Sequence, residues 1–443
     1  MRIRKVLIKA SVVLLVILTV GLSIRAVLNY SMGRKLHNYL EQAKTDGLPL
    51  TRHDIAPTCD DAENGAQLWK AAESLFERVS SDQASFSNMF ETIFKGEPID
   101  EASRATWTQL AERNRRVFEF IYEASQKKCF RYGDWTKPSY SIEQPNAIKL
   151  IQAVRLLGID AVLRAESGQA KGGLEQCRLG MNFVRKLLDE PFLIRNLIAL
   201  ADMKSLLVCF NRIARGRDLD SETLAAWIKE MDVQPWRTQF ARYARTERIY
   251  SLEQGLDLLR GDKDAIAVSE IKGKRFFYWL VKPYLKAEIV WFQRLLPGVE
   301  HRANLSFFKV KEMDRDPSRK AKPTPWYLRL PGILTTDFES VFLKEATFEA
   351  LMLTTKAGLA CRIYRNRNGK FPEKLEALVP EILDEVPIDP FTGKPLIYKV
   401  ENNELIIYSF GSNEKDDGGR STYAITQLVA EKDDDWAWRE KLR

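Results

Sequence analysis

"AVLRAESGQAKGGLEQCRLGMNFV", residues 161–184, sets the class of this fold. Small and polar residues from Ala165 to Gly173 separate two runs whose apolar positions recur every three or four residues, the period of a helix with one buried face. Upstream, Ile148, Ile151, Val154, Leu157 and Val162 belong to one such run, and Pro145 is placed to open it. Downstream, Leu174, Cys177, Met181, Val184 and Leu188 make a second stripe. The spacing predicts helix, turn through "AESGQAKGG", helix. Pro191, following Asp189 and Glu190, then reads as the first turn of a third helix running through Leu197, Leu200, Leu207 and Val208.

The unit resembles a tetratricopeptide-type hairpin. One repeat is visible and arrays need about three to be stable, so a helical-hairpin packing unit is expected. The same period extends in both directions. Toward the N-terminus, "DAENGAQLWKAAESLFERV" (residues 61–79) is amphipathic, and residues 84–135 continue helical until Gly133–Pro138 breaks the run. Toward the C-terminus, Asp220 or Ser221 caps "ETLAAWIKEM", and a long helix follows that ends at Gly261. "FFYWLVKPYLKAEIVWFQRLL" (residues 276–296) is rich in aromatics. Lys282, Pro283, Lys286 and Glu288 interrupt it, so it is too short between charges to span a bilayer. A buried helix is expected there, with an interfacial helix as the alternative. The charged, proline-bearing "KVKEMDRDPSRKAKPTP" (residues 309–325) is the best linker in the chain.

The start of the chain has another character. "MRIRKVLIKASVVLLVILTVGLSIRAVLNY" is basic, then free of charge from Ala10 to Ile24. With Lys9 and Arg25 reaching to the interfaces, residues 6–28 are long enough to cross a membrane. The positive-inside rule leaves the N-terminus cytoplasmic and the chain beyond about residue 30 on the other side. A signal peptide cleaved near Gly21-Leu22-Ser23 is the competing reading; no polar stretch precedes that site, which favours an uncleaved anchor. A short juxtamembrane helix and a loop are expected over residues 31–57.

Charge points the same way. Residues 1–40 carry seven Lys and Arg and no acid, and removing those seven from the net charge of +8 leaves +1 for the rest. The basic balance therefore belongs to a membrane flank, and no nucleic-acid partner is expected. The five cysteines (59, 129, 177, 209 and 361) show no C-x-x-C pair and read as small buried apolar residues, with disulfides or metal ligands as the alternative. The three histidines (37, 53 and 301) are too scattered to suggest a metal site. Trp279, Trp291 and Trp326 are expected in packing rather than in a ligand groove.

The last 115 residues read as a separate module. Asp337 can cap a helix that stops at Gly369. A short helix around Leu375–Leu378 and the proline-rich "VPIDPFTGKPLIY" (residues 386–398) come next. "KPLIYKV" and "ELIIYSF" then alternate around Asn402-Asn403, a dipeptide that accepts the positive φ of a tight hairpin. "STYAITQLVA" (residues 421–430) is a candidate third strand.

These residues carry a resemblance. Tyr364, Gly369, Phe371-Pro372, Leu375 and Leu378, the run Pro387-x-Asp389-Pro390 with Gly393, Pro395 and Tyr398, and Tyr408-Ser409-x-Gly411 with Gly418-Gly419 follow the pattern of the globular part of type II secretion major pseudopilins. About 90 residues are covered. The resemblance implies a long helix laid on a small antiparallel sheet, and a C-terminal loop able to hold calcium. Ser409, Asn413, Asp416 and Asp417, with Asp433 and Asp434, are the matching oxygen donors, and calcium suits such crowded loop oxygens. Asn413 stands where the family has aspartate, which lowers the ligand charge. The chain departs from true pseudopilins in having no prepilin-peptidase site and no glutamate early in its apolar helix. It also places roughly 300 residues between the membrane helix and the module. The layout resembles membrane-anchored bacterial proteins that join an anchor and a helical domain to such an end.

The expected architecture is therefore mainly α: an anchor in residues 1–30, a helical domain over 31–308, a linker over 309–328 and a pseudopilin-like α+β domain over 329–443. No catalytic constellation, nucleophile elbow or phosphate-binding loop stands out. A non-enzymatic envelope scaffold or binding component with a protein partner is expected. An extracytoplasmic ligand-binding protein or enzyme acting on envelope polymers, through a pocket in the helical domain, is the alternative.

Overall fold

The computed structural model describes residues 2–77, 83–215, 217–268, 275–315, 338–420 and 436–441. Its helices are α1 (Arg2–Thr45), α2 (Gly65–Leu75), α3 (Gln83–Lys95), α4 (Glu101–Arg113), α5 (Arg115–Ser125), α6 (Ala147–Glu166) and α7 (Ala170–Leu187). They continue with α8 (Leu193–Arg215), α9 (Ser221–Glu230), α10 (Gln234–Arg260), α11 (Lys263–Val268), α12 (Arg275–Ala303), α13 (Phe307–Arg315) and α14 (Phe338–Asn368). Strands β1 (Ile397–Glu401), β2 (Glu404–Ser409) and β3 (Trp436–Lys441) form one antiparallel sheet in the order β1-β2-β3.

The centre is α8, buried on nearly every side, its leucines and Phe210 accompanied inward by Arg195, Asn196, Asp202, Lys204 and Asn211. α6 and α7 pack against it and against each other. The turn between them is shorter than the small residues suggest, because α6 runs to Glu166 and α7 begins at Ala170. Gly173, expected in the turn, lies inside α7. A Cβ there would sit 2.4 Å from the Ala161 carbonyl, so glycine is needed for close helix contact rather than for turning. Pro191 does not open α8. The ladder starts at Phe192, whose carbonyl accepts from the Arg195 and Asn196 amides, and Glu190 and Pro191 form a bend before it. Residues 84–135 fall into three helices, α3 to α5, with irregular chain from Gln126 onward.

α1 is one unbroken helix of 44 residues. It is long and apolar enough to cross a membrane, and its apolar part is exposed throughout. The segment expected as a separate juxtamembrane helix is the last third of α1, with Leu36 and Ala43 buried. α12 lies beside it, its Leu285, Ile289 and Val290 packing with Leu36 and with Leu252 and Leu258 of α10. Farther along, Phe292, Val299 and Ala303 are buried as expected, whereas the first turns of α12 depart from the buried helix expected, since Trp279, Leu280 and Tyr284 face outward. Trp291 packs against the main core, and Trp326 lies outside the described residues.

The cysteine reading needs correction. Cys177, Cys209 and Cys361 are buried thiols as expected, but Cys59 and Cys129 form a disulfide across 70 residues of sequence. Backbone pairing brings them together: Gly65 donates to the Cys129 carbonyl at 2.9 Å, and Cys129 to that of Glu63 at 3.2 Å.

The C-terminal module is bonded into the helical body. α14 packs on α8 and α9 with one side and on β2 and β3 with the other. Asn211 of α8 donates to Thr355 Oγ1 at 3.0 Å, and the Arg362 guanidinium donates to the carbonyls of Ala214 and Arg217. Gly358 lets the Trp438 ring lie directly on the helix; a Cβ would sit 2.4 Å from it. Buried apolar residues run as one cluster from Ala66 to Trp438. The stretch expected as a linker starts as helix: residues 309–315 belong to α13, where Val310 is buried and the Phe308 amide donates to the Pro390 carbonyl. Residues 316–337, with the expected cap Asp337, and the candidate strand 421–430 lie outside the described residues. β1 and β2 pair from Ile397↔Tyr408 to Glu401↔Glu404, and Asn402 and Asn403 both take positive φ in the turn, as expected.

Candidate functional site

Strand β2 ends at Ser409, just before the candidate loop, and Ser409 is fully buried and unable to reach a cation in solvent. Its hydroxyl donates to Asp389 Oδ1 at 2.8 Å. Asp389, the aspartate of "PIDP", is itself buried and accepts three more hydrogen bonds, from the Phe391 amide (2.9 Å), the Thr392 hydroxyl (3.1 Å) and the Phe410 amide (3.1 Å). It ties the proline-rich connection to the end of β2. Alanine at Asp389 would orphan these donors in a dry site, so Asp389→Ala is expected to cost about 3 kcal/mol, read as a lowered urea midpoint of the full chain in detergent.

The remaining candidate ligands are held by one another. Asn413 Nδ2 donates to Asp417 Oδ2 at 2.8 Å, and Asp416 Oδ1 accepts from the Tyr408 hydroxyl at 2.8 Å and the Gly418 amide at 2.9 Å. The Tyr408 hydrogen bond, ahead of a small opposing effect of burial, holds the Asp416 carboxyl below its usual range. Lys311 of α13 pairs with Glu414, and Arg439 of β3 donates to the carbonyls of Gly419 (3.0 Å) and Gly418 (3.2 Å). For calcium to enter, Asp417 would have to release Asn413, and Asp416 would have to release Tyr408. Asp433 and Asp434 lie outside the described residues. The structure thus brings Asn413 and Asp417 together, directs Asp416 to Tyr408 and turns Ser409 inward. Among the described residues no group of three or more His, Cys, Asp or Glu is arranged to hold a metal ion.

A cavity of about 640 Å3 lies at the seam between the helical body and the sheet, bounded by the ends of α3, α6 and α8 and by β3. Arg212, Glu166, Glu404 and Arg439 give it a charged wall. Glu166 bridges Arg104 at 2.5 Å and Arg212 at 2.9 Å, and Arg439 pairs with Glu404 at 2.8 Å. Burial alone would raise the Glu166 carboxyl; its two arginine partners outweigh that and lower it. Burial lowers the Arg215 guanidinium to about 10, and its Nη1 donates to the Arg439 carbonyl at 3.1 Å. Among the described residues lining the cavity there is no serine, threonine, cysteine or histidine. Its ion pairs tie α6 to α4 and α8 and β3 to β2, the Arg215 hydrogen bond fastens β3 to α8, and none of them supplies a nucleophile with an adjacent base.

Other perturbed titratable groups lie away from the cavity. Burial pushes Asp202 up to about 8, Glu345 up to about 8 and Glu247 up to about 7, and pulls Lys204 down to about 7. None of the four lines the seam cavity.

A second densely bonded buried carboxylate is Glu190, which the sequence offers only as a helix-start signal. It is fully buried and takes hydrogen bonds from the amides of Tyr132 (2.7 Å) and Gly133 (3.1 Å) and from Trp135 Nε1 (2.7 Å), and it pairs with Arg195. "RYGDW" folds around this carboxylate, which explains why residues 131–135 hold a fixed course without regular secondary structure. Compared with family models, curated proteins and solved structures, the chain matches none.

Proposed function

We propose that the chain is a single-pass envelope protein whose body lies outside the cytoplasm of a bacterium, and that it works as a non-enzymatic scaffold or binding component. Carrying this reading is α1: its uncharged run from Ala10 to Ile24, about four turns, is exposed on all sides, and it continues without a break into a folded body. A helix with no buried apolar face cannot be held in water by packing, whereas a bilayer satisfies that surface. The Cys59–Cys129 disulfide favours an oxidising compartment for the body, the side on which the positive-inside rule puts it. The pseudopilin-like end suggests kinship with secretion-type assembly. Its attachment through α14 to a helical body, rather than directly to the membrane helix, suggests use as a docking module with a protein partner, not as a pilus subunit.

Alkaline phosphatase fused after Arg443 is expected to be active in cells, and a green fluorescent protein fused at the same point to be dark. The reverse pattern would place the body in the cytoplasm and sink the proposal.

A further inference from the structure

α12 runs parallel to α1, as three contacts show. Arg25 donates to the Trp279 carbonyl at 2.6 Å with its guanidinium 3.4 Å from the Trp279 ring, Lys286 Nζ reaches Asn29 Oδ1 at 2.9 Å, and the Tyr39 hydroxyl reaches Gln293 at 3.3 Å. Position along one helix therefore reports depth along the other. Arg25 is the first charge after the uncharged run Ala10–Ile24, so it marks the level at which α1 leaves the hydrocarbon. Trp279 lies at that same level.

The beginning of α12 has the surface such a level requires. Trp279 (37% exposed), Leu280 (41%) and Tyr284 (38%) face outward, and Leu280 and Tyr284 are one turn apart on the same side. Tryptophan and tyrosine favour the membrane–water boundary, where an apolar ring and a polar edge are both satisfied. Lys282 lies over the Tyr278 ring at 5.2 Å, and with Lys286 and Arg25 it adds positive charge beside the aromatics, complementary to lipid phosphates. Farther along, α12 turns its apolar residues inward against α1 and α10, so the exposed patch is confined to the end next to the anchor.

We infer that the first turns of α12 are a second membrane contact, a foot seated in the headgroup region beside α1, and that its occupant is the lipid bilayer itself. The inference rests on α1 being the spanning helix. Two attachments at one level, locked together by Arg25 and Lys286, would fix the tilt of the body relative to the membrane, which a single helix leaves free.

The test uses the full-length chain in vesicles of phosphatidylethanolamine and phosphatidylglycerol that include an alkyne-tagged phospholipid. The photoreactive residue benzoylphenylalanine replaces Leu280 or Tyr284, with Val16 of α1 as the anchor control and Val400 of β1 as the solvent control. After illumination, lipid labelling at Leu280 and at Tyr284 is expected to approach that at Val16 and to exceed that at Val400 by roughly tenfold. Labelling at Val16 with only the Val400 level at both foot positions would overturn the foot and leave the anchor standing. Labelling at the Val400 level at Val16 as well would remove the anchor and the foot with it. A crosslink from Leu280 or Tyr284 to a second copy of the chain, in place of lipid, would assign the patch to self-association and also overturn the inference.

Discussion

Glu190→Ala is expected to be among the most destabilising single substitutions in the helical body, costing about 4 kcal/mol or more. The reasoning is the asymmetry of buried charge. The variant leaves the Arg195 guanidinium in a site only 1% exposed, where Phe130, Tyr132 and Phe192 rings stand 5.2–6.0 Å away and water cannot replace the lost carboxylate. It also orphans the amides of Tyr132 and Gly133 and the Trp135 indole N–H. Arg195→Met removes the other half of the pair but leaves Glu190 with those three neutral donors, so its cost should be smaller, about 2–3 kcal/mol. Equilibrium urea unfolding of the full chain in detergent measures both. Equal costs, or a larger cost for Arg195→Met, would mean that the ion pair and not the three donors organises the bend. Trp135 fluorescence should move in the Glu190 variant, because the indole loses its only described hydrogen-bond partner.

Helix identity was legible because it is written in periodicity. α2, α6, α7, α9 and α10 follow from apolar spacing and caps: Asp220 starts α9 by side-chain capping, and Gly261 ends α10 at a positive φ. The Asn402-Asn403 hairpin was equally local. What sequence spacing could not convey is long-range: Glu190 reaches back 58 residues to Tyr132, Asp389 forward 20 to Ser409, and Asn211 forward 144 to Thr355. Gly173 shows the same limit at short range, since glycine for turning and glycine for helix contact look alike until the neighbouring helix is placed. For the candidate site, the residue types of Ser409, Asn413, Asp416 and Asp417 were visible but not the direction of their side chains. Asp389, which fixes that loop, was quoted in the motif without being given this role.

The shared core also changes how the C-terminal module should be understood. A charged, proline-bearing stretch at 309–325 signals a boundary, yet α14 contributes Phe342 and Phe348 to rings in α10, 4.8 Å from Phe240 and Trp236. Helix α14 is thus the floor of the sheet and a wall of the helical body at once. Through α14 the sheet bears on α8 and α10, and α10 in turn packs on α12, which lies beside α1.

Replacing Cys59 and Cys129 together by serine is expected to cost about 4 kcal/mol, as large as the loss of the Glu190 hub but of different origin. The bridge closes a loop of 70 residues that contains α2 to α5, so reducing it enlarges the unfolded ensemble more than it removes native contacts. The native state keeps its own reasons to hold the two strands of chain together, because Gly65 and Cys129 still pair through their backbones and Asn64 Nδ2 still donates to the Arg131 carbonyl at 2.8 Å. The double variant should therefore fold, with an unfolding midpoint lowered in proportion to the lost closure entropy. Dithiothreitol separates this from a general sensitivity to thiols. It should lower the midpoint of the natural chain to that of the double variant and leave the variant unmoved, because Cys177, Cys209 and Cys361 are buried free thiols. Burial pushes the Cys177 thiol up to about 12 and raises those of Cys209 and Cys361 as well, which suppresses exchange through any of them. Alkylation of the unfolded chain without reductant should accordingly block three cysteines, and all five after reduction. Five blocked cysteines without reductant, from protein purified out of native membranes, would mean that the body matures in a reducing compartment. That result would remove the main chemical support for placing it outside the cytoplasm.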